Sequence, residues 1–122
     1  MIGYSTLGTN DLARAAALYD APLAEIGARR LMESPRGYTW GSAMDKPSLP
    51  IVTPYDGKPA TVGNGVMGAI AVDSREKADR VYRKALELGG QNEGPAGPRG
   101  DGFCAGYFRD LDGNKLNVFF AG

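Results

Sequence analysis

Apolar residues recur at helical spacing in two stretches of the chain, and short apolar runs surround each stretch. The first stretch covers residues 12–26, and the second covers residues 78–88 opposite a charged face. Asn10 precedes the first stretch, and either Asp73 or Ser74 precedes the second. These polar side chains are typical helix N-caps, so the pattern predicts two amphipathic helices.

The apolar runs between and after the helices predict short strands, separated by glycines and prolines. Pro22 predicts a kink or an early end of the first helix near Ala21, and Gly27 predicts its termination. Residues 54–65 and 94–102 contain little regular apolar pattern, and we expect irregular loops there. The predicted strands cover residues 2–9, 28–33, 37–43, 49–53, 66–72 (buried) and 91–93, followed by a hairpin turning at 110–113.

The predicted elements follow the order β-α-β-β-β twice, which indicates a duplicated module and an α+β fold. The halves are weakly similar at a shift of about 63 residues, which places Tyr4 on Met67 and Tyr19 on Tyr82. We therefore expect a single domain spanning residues 1–122, with modules at about 1–60 and 61–122.

Composition excludes several classes of function. The chain has 122 residues, 14 basic and 14 acidic side chains and no basic stripe, so nucleic acid is not an expected partner. No apolar run is long enough to span a membrane, and the first residues do not predict a signal peptide. A single cysteine forms no intrachain disulfide, and a cytoplasmic location is expected.

The sequence contains no histidine. Histidine is the most common transition-metal ligand and the usual general base near neutral pH. Its absence removes catalytic triads, zinc sites built from histidine and the two-histidine, one-carboxylate iron site from consideration.

The terminal hairpin carries a resemblance. The run F-R-D-L-D-G-N-K-L-N at residues 108–117 is similar to the end motif of the glyoxalase/bleomycin resistance/dioxygenase (vicinal oxygen chelate) superfamily. The opening strand and helix, and the start of the second module, resemble the same superfamily. The resemblance implies two tandem βαβββ modules that form a curved mixed sheet around a cleft, and it implies a homodimer.

Metal-dependent members of that superfamily use four ligand positions, which the resemblance places at Tyr4, Pro50, Met67 and Asn117. Phenol, proline, thioether and amide groups do not form a site for a divalent cation, which requires carboxylates, imidazoles or thiolates. We therefore expect no metal and no other cofactor. Glyoxalase and dioxygenase activities, which depend on the metal, are not expected either.

A metal-free protein of this superfamily could bind a small organic ligand in its cleft, and this is our first hypothesis. The predicted ligand-binding residues are Tyr4, Trp40, Met67, Tyr107 and Asn117, a mixed apolar and polar set. The alternative is a metal-independent lyase or isomerase of the same superfamily, with Tyr4 as the acid or base. A third reading is a partner protein whose side chains fill the cleft.

Other reactive side chains have simpler interpretations. Cys104 lies in an apolar strand and is predicted to be a buried, inert thiol. Asp110 and Asp112 lie in a turn, where aspartate side chains commonly bind their own backbone. Arg99 and Asp101 lie in a glycine-rich segment that is either a flexible lid or a plain solvated loop.

Overall fold

The computed structural model describes all residues from Met1 to Gly122. Two helices and eight strands occur in the order βαβββ, twice. The first module contains β1 (Leu7–Gly8), α1 (Leu12–Ala24), β2 (Arg29–Glu33), β3 (Gly37–Gly41) and β4 (Ser48–Val52). The second contains β5 (Gly68–Ala71), α2 (Arg75–Glu87), β6 (Gln91–Pro98), β7 (Phe103–Arg109) and β8 (Lys115–Ala121). The predicted α+β fold of tandem βαβββ modules is confirmed.

Each module forms a four-stranded mixed sheet, with strand orders β1-β4-β3-β2 and β5-β8-β7-β6. The first and last strands of each module pair in parallel, and the other neighbours pair antiparallel. Because β1 and β5 are edge strands, each has one free edge.

The two modules share one hydrophobic core. Each helix packs on its own sheet, and the two helices also contact each other. Trp40 and Ile51 of the first sheet and Phe108 and Val118 of the second belong to the same buried cluster. The helix-bearing faces of both sheets therefore turn toward the shared core, and their other faces turn away from it.

Both helix starts are capped by side-chain oxygens. The Asp11 carboxylate accepts the backbone N–H of Arg14 at 3.0 Å, and the Ser74 hydroxyl accepts that of Lys77 at 3.2 Å. Of the two predicted caps of α2, Asp73 and Ser74, the structure has Ser74, whereas the prediction of Asn10 for α1 is wrong by one residue. The Asn10 side chain instead bonds the backbone of Ala60, so it is not free to cap α1.

Pro22 was predicted to cause a kink or an early end near Ala21, and the early end is wrong. The helix continues to Ala24, with Pro22 in its last turn. At this position proline removes only one backbone hydrogen bond, and its fixed φ suits the helix. Gly27, with φ of 76°, terminates the segment as predicted.

Two predicted strand assignments need correction. β1 is limited to two residues, although Tyr4 forms an isolated parallel bridge to Ser48. β5 covers residues 68–71 rather than 66–72. It is not fully buried, because it is an edge strand whose Ala69 and Ala71 are exposed.

The predicted irregular loop at 94–102 is largely strand, because β6 extends through Pro98. As the outermost strand it pairs only with β7, and irregular pairing around Gly94 accommodates its glycines and prolines. Residues 54–65 contain no helix or strand, as predicted.

Candidate functional site

The first and last strands of each module pair in the same way, which identifies equivalent positions of the two modules. Leu7 pairs with Ile51 in the first sheet, and Ile70 pairs with Val118 in the second. Leu7 and Ile70 are 63 residues apart, as are the first residues of the two helices. The predicted equivalence of Tyr4 and Met67 follows the same shift.

The turn at residues 110–114, named here the Asp110 turn, binds the second module to the first. The buried Asp110 carboxylate accepts the Tyr19 hydroxyl at 2.6 Å and the side-chain amide of Asn114 at 2.9 Å. It also accepts the backbone N–H groups of Asp112 and Asn114, both at 2.9 Å. Asn114 reaches across to the Gly8 carbonyl at 2.8 Å. These bonds hold the turn in place.

A second carboxylate strengthens this contact. Asp112 accepts the Thr9 hydroxyl at 2.6 Å and the backbone N–H of Asn10 at 2.9 Å. Arg14 adds a longer ion pair to Asp112 at 3.7 Å. The prediction that the two aspartates have a structural role in the turn is confirmed. Asp112 also accepts hydrogen bonds from residues just before α1.

Tyr19 is the most strongly perturbed titratable group at this contact. Burial raises the pKa of its phenol well above the usual value, and the nearby Asp110 carboxylate raises it further. The phenol therefore stays protonated and continues to donate to Asp110. This is a structural role, because Tyr19 does not border the cavity described next.

The equivalent turn of the first module, residues 42–47, is named here the Ser42 turn. It makes no hydrogen bond to the second module. An open cavity of about 790 Å³ lies between this turn and the start of α2. The segments that border it are residues 2–5, the end of α1, the end of β3, the start of β4, residues 67–73 and Lys77.

The cavity is mainly apolar, with a polar edge. Lys77 and Asp73 form an ion pair of 3.0 Å at that edge, and three serines border the cavity. A volume of several hundred Å³ with an apolar lining and few polar groups is typical of small-molecule sites. The large aliphatic side chains that line it are Ile2, Leu23, Ile26, Leu49, Ile70, Val72 and Leu116.

Three of the five predicted ligand-binding residues border this cavity, namely Tyr4, Trp40 and Met67. Tyr4 and Met67 are exposed at 66% and 43%, whereas Trp40 is buried at 1%. The structure thus brings these three side chains to one space between the modules.

Trp40 is held rigidly in the wall of the cavity. Its indole N–H donates to Asp20 at 2.9 Å, and its ring lies 5.6 Å from that of Tyr19. Hydrogen bonds from Arg30 lower the pKa of Asp20. Partial burial acts in the opposite direction, and the hydrogen bond from Trp40 lowers the pKa further. The carboxylate remains charged and keeps the indole oriented.

Tyr107 and Asn117 lie elsewhere. They are cross-strand partners on the face of the second sheet that turns away from α2, and neither borders the cavity. Asn117 is 3% exposed, and its side-chain amide nitrogen has no hydrogen-bond partner. The five predicted residues are therefore divided between two locations.

The apolar lining from the end of α1 was not among the predicted site residues. Leu23 and Ile26 were interpreted only as one face of a helix, which is correct but incomplete. No local sequence signal distinguishes a helix residue that packs against the core from one that borders a space between modules.

The residues at the superfamily's metal positions do not fit a divalent cation. No three His, Cys, Asp or Glu side chains come together anywhere in the structure. Tyr4 projects from the first sheet, and Asn117 lies on the outward face of the second. Their phenol and amide groups are poor ligands for such ions.

The remaining reactive groups have structural roles. Cys104 is a free, buried thiol, as predicted. The Arg99 guanidinium folds back on β6, which ends at the preceding residue, and its Nη atoms donate to the backbone carbonyls of Pro95, Gly97 and Pro98. Neither helix is long and apolar enough to cross a membrane.

Comparison with solved structures places this geometry in a family. A glyoxalase/bleomycin resistance protein from Albidiferax ferrireducens T118 is 32% identical, with a TM-score of 0.92 over 100% of this chain and 99% of that one. The chain belongs to the glyoxalase/bleomycin resistance protein family. Searches against family models and against curated proteins gave no match.

Other solved structures share only the fold with this chain. A glyoxalase-related enzyme from Fulvimarina pelagi is 23% identical, with a TM-score of 0.73 over 98% of this chain and 87% of that one. A lactoylglutathione lyase from Agrobacterium tumefaciens is 19% identical, with a TM-score of 0.68 over 98% and 92%. At these identities the likeness says nothing about activity.

Proposed function

We propose that this glyoxalase/bleomycin resistance family protein binds a small organic ligand without a metal ion. The observation that carries the proposal is the cavity of about 790 Å³ between the modules. It has the volume and the apolar lining of a small-molecule site, and it contains Tyr4, Trp40 and Met67.

The lining favours a neutral ligand with an aromatic or aliphatic body. Trp40 is 1% exposed and Asp20 fixes its indole, so it forms a rigid part of the wall rather than an open aromatic surface. Met67 offers a flexible thioether that adapts to different shapes. The only charged groups at the edge, Lys77 and Asp73, neutralise each other in an ion pair, so the cavity presents no net charge to select for ions.

We propose that no metal is bound because of the chemistry of the side chains at the family's ligand positions. The four family ligand positions provide a phenol, a proline, a thioether and a buried amide at Tyr4, Pro50, Met67 and Asn117. None of these is a ligand that a divalent cation prefers. Binding rather than metal-dependent catalysis is the function this set supports.

We also propose a homodimer in the cytoplasm. Apolar side chains are exposed beside the free edges of β1 and β5, among them Ile2, Val66 and Met67 at 61%, 57% and 43%. A second copy could cover them. The free thiol of Cys104 suits a reducing compartment. Light scattering at increasing concentration tests the dimer, and a monomer at all concentrations would contradict it.

The ligand proposal is tested by a thermal-shift screen of neutral aromatic and hydroxylated compounds, including 2-naphthol, with metal analysis of the same sample. Selective binding raises the melting temperature with ligand concentration. We expect a rise that EDTA does not change. A melting temperature that EDTA lowers, with a metal bound at one equivalent per chain, would overturn the proposal.

Two neighbouring substitutions provide a matched control. Ser5 borders the cavity and is exposed, so Ser5→Phe is expected to fill part of the cavity and abolish the shift. Thr6 is also exposed but does not border the cavity, so Thr6→Phe is expected to preserve the shift. Equal responses of both variants would place the ligand elsewhere.

A further inference from the structure

Residues 61–67, which lead into β5, are weakly constrained. All of them are exposed, and none lies in a helix or strand. The one backbone hydrogen bond that they form joins the Val66 N–H to the Gly63 carbonyl at 3.4 Å, which is longer than usual for such a bond. The two residues inside this turn, Asn64 and Gly65, are therefore free to change conformation.

The backbone nitrogen of Gly65 is available for reaction with the Asn64 side chain. Its N–H donates to no acceptor, and a Cβ on Gly65 would meet no atom within 4 Å. Its φ of 97° lies in the region that favours glycine, which has no side chain to shield the nitrogen. Attack of this nitrogen on the side-chain carbonyl carbon of Asn64, Cγ, would close a five-membered ring.

The other asparagines lack this combination of features. A residue with a side chain follows each of them, namely Asn10, Asn92, Asn114 and Asn117. The side chains of the first three form hydrogen bonds, and Asn117 is buried. Asn64 is the one asparagine that is exposed, makes no side-chain hydrogen bond and precedes a glycine.

The sequence Asp56-Gly57 provides a contrast in the preceding loop. Gly57 also has a positive φ, of 75°, but its N–H donates to the Pro54 carbonyl at 3.1 Å. The Asp56 carboxylate accepts the Lys58 N–H at 3.0 Å. Both potential reacting groups are therefore engaged, and a charged carboxylate is a poorer target for a nucleophile than an amide.

We propose that Asn64 is a site of spontaneous deamidation, a reaction that makes asparagine thermally labile. The Gly65 nitrogen loses its proton to a base in the solvent and forms a bond to Asn64 Cγ. The bond between Cγ and Nδ2 breaks, and Nδ2 takes up a proton from water and leaves as ammonia. Water then adds to one of the two carbonyl carbons of the cyclic imide, and the ring bond from that carbon to nitrogen breaks. The product at position 64 is an aspartyl or an isoaspartyl residue.

The product differs from asparagine in charge and in the length of the main chain. The chain has a formal net charge of zero, which the new carboxylate makes negative by one unit. An isoaspartyl residue also adds one methylene to the main chain. Ala60, whose two backbone groups bond Asn10, and Gly68 in β5 hold the two ends of the segment. The added length is therefore confined to residues 61–67.

This change reaches the edge of the cavity, because Met67 borders it. The modification itself depends only on Asn64 and Gly65, so it does not depend on the proposed function.

The test is incubation of the purified full chain at mildly alkaline pH, followed by anion-exchange chromatography and by mass spectrometry of its proteolytic peptides. We expect a more acidic species to accumulate, with the change in mass confined to the peptide that contains Asn64. Asn64→Gln is expected to lose this species over the same time, because glutamine would have to close a less favourable six-membered ring. Gly65→Ala is expected to slow its formation by about tenfold, because a Cβ disfavours this backbone conformation.

Two controls separate the site from general lability. Asn92→Gln is the matched variant, because Asn92 is also exposed but precedes Glu93 and bonds Tyr82. It is expected to form the acidic species as fast as the wild-type chain. A synthetic peptide of residues 61–67 gives the rate without the fold, and we expect the full chain to react at a comparable rate.

Three outcomes would overturn the proposal. The first is a full chain that stays intact while the peptide reacts to completion, which would show that the fold protects Asn64. The second is an acidic species that maps to another asparagine. The third is an undiminished acidic species in Asn64→Gln. Backbone NMR spectra report whether each variant is folded, and the mass mapping of the wild-type chain decides the site without any variant.

Discussion

The Asp110 turn and the Ser42 turn occupy equivalent positions in the two modules, but they differ in how they contact the other module. Asp110, Asp112 and Asn114 form hydrogen bonds to Tyr19, Thr9 and Gly8 across the boundary. The Ser42 turn forms none, and the cavity of about 790 Å³ lies where the equivalent contact would be.

The difference follows from a few substitutions within one repeated fold. Gly41 forms the last pair of β3 with β4, and Arg109 forms the last pair of β7 with β8. Ser42 and Asp110, which follow these two residues, are therefore equivalent. Val72 takes the place of Thr9 at the shift of 63 residues. The second module therefore has the buried acceptors that close its end of the boundary, whereas the first lacks them and leaves a space available for a ligand.

Removal of the Asp110 carboxylate should produce the largest effect. Asp110→Ala leaves the Tyr19 hydroxyl and three N–H donors around the turn without their acceptor. We expect a loss of about 3–5 kcal/mol in the free energy of unfolding, as for other broken buried charge contacts. Urea denaturation monitored by circular dichroism measures it.

Ser42→Ala is the matched control for that variant. The Ser42 side chain is exposed and makes no hydrogen bond, so we expect a change within about 0.5 kcal/mol. Similar losses in both variants would show that the two turns do not differ as described.

Tyr19 and Tyr82 are equivalent residues of α1 and α2 with different acceptors. The Tyr19 hydroxyl donates to the Asp110 carboxylate at 2.6 Å, and the Tyr82 hydroxyl donates to the neutral Asn92 amide at 2.8 Å. Because hydrogen bonds to charged groups contribute more, Tyr19→Phe should cost about 2 kcal/mol and Tyr82→Phe about 1 kcal/mol. The reverse order in urea denaturation would contradict the comparison.

The Tyr19 contact also predicts a pH dependence. Burial and Asp110 raise the pKa of Tyr19 in the folded state, so the phenol ionises more readily in the unfolded chain. Its contribution is complete below about pH 10, the ordinary tyrosine pKa, and is lost as the pH rises above that value. Relative to Tyr19→Phe, the wild-type protein should lose stability more steeply there. Parallel pH profiles of the two proteins would be evidence against the contact.

Glycine substitutions compare a packed position with one beside the cavity. A Cβ on Gly106 would lie 3.0–3.1 Å from three carbons of Tyr82, so Gly106→Ala should destabilise by about 1.5 kcal/mol. A Cβ on Gly68 would lie 3.8 Å from Leu7, at ordinary contact distance. Gly68→Ala should therefore stabilise by about 0.5 kcal/mol, mainly by restricting the unfolded chain. Differential scanning calorimetry resolves both signs, and destabilisation by Gly68→Ala would indicate a tighter boundary than described.

Periodicity was sufficient to predict the helices, most strands and the duplication, because these depend on local patterns. It failed at Pro22 and at residues 94–98, where position in the structure decides the outcome. Proline is tolerated in a last helical turn and in an outermost strand, and neither context is visible locally.

The site was less predictable than the fold. The superfamily resemblance placed Tyr4, Met67 and Asn117 around one cleft, whereas in this chain only the first two border the cavity. Which face of a strand meets the other module depends on how the modules pack. Strand alternation predicts which side chains share a face of the sheet, but not which residues that face contacts.

Trp40 offers the most direct test of the central claim, because it is the only tryptophan and it borders the cavity. The measurement is an NMR titration of EDTA-treated protein with 2-naphthol, following the single indole N–H signal. We predict a saturable shift that persists in Thr6→Phe and is lost in Ser5→Phe. An indole signal that does not respond, or that responds only after a divalent metal is added, would contradict a metal-free ligand site between the modules.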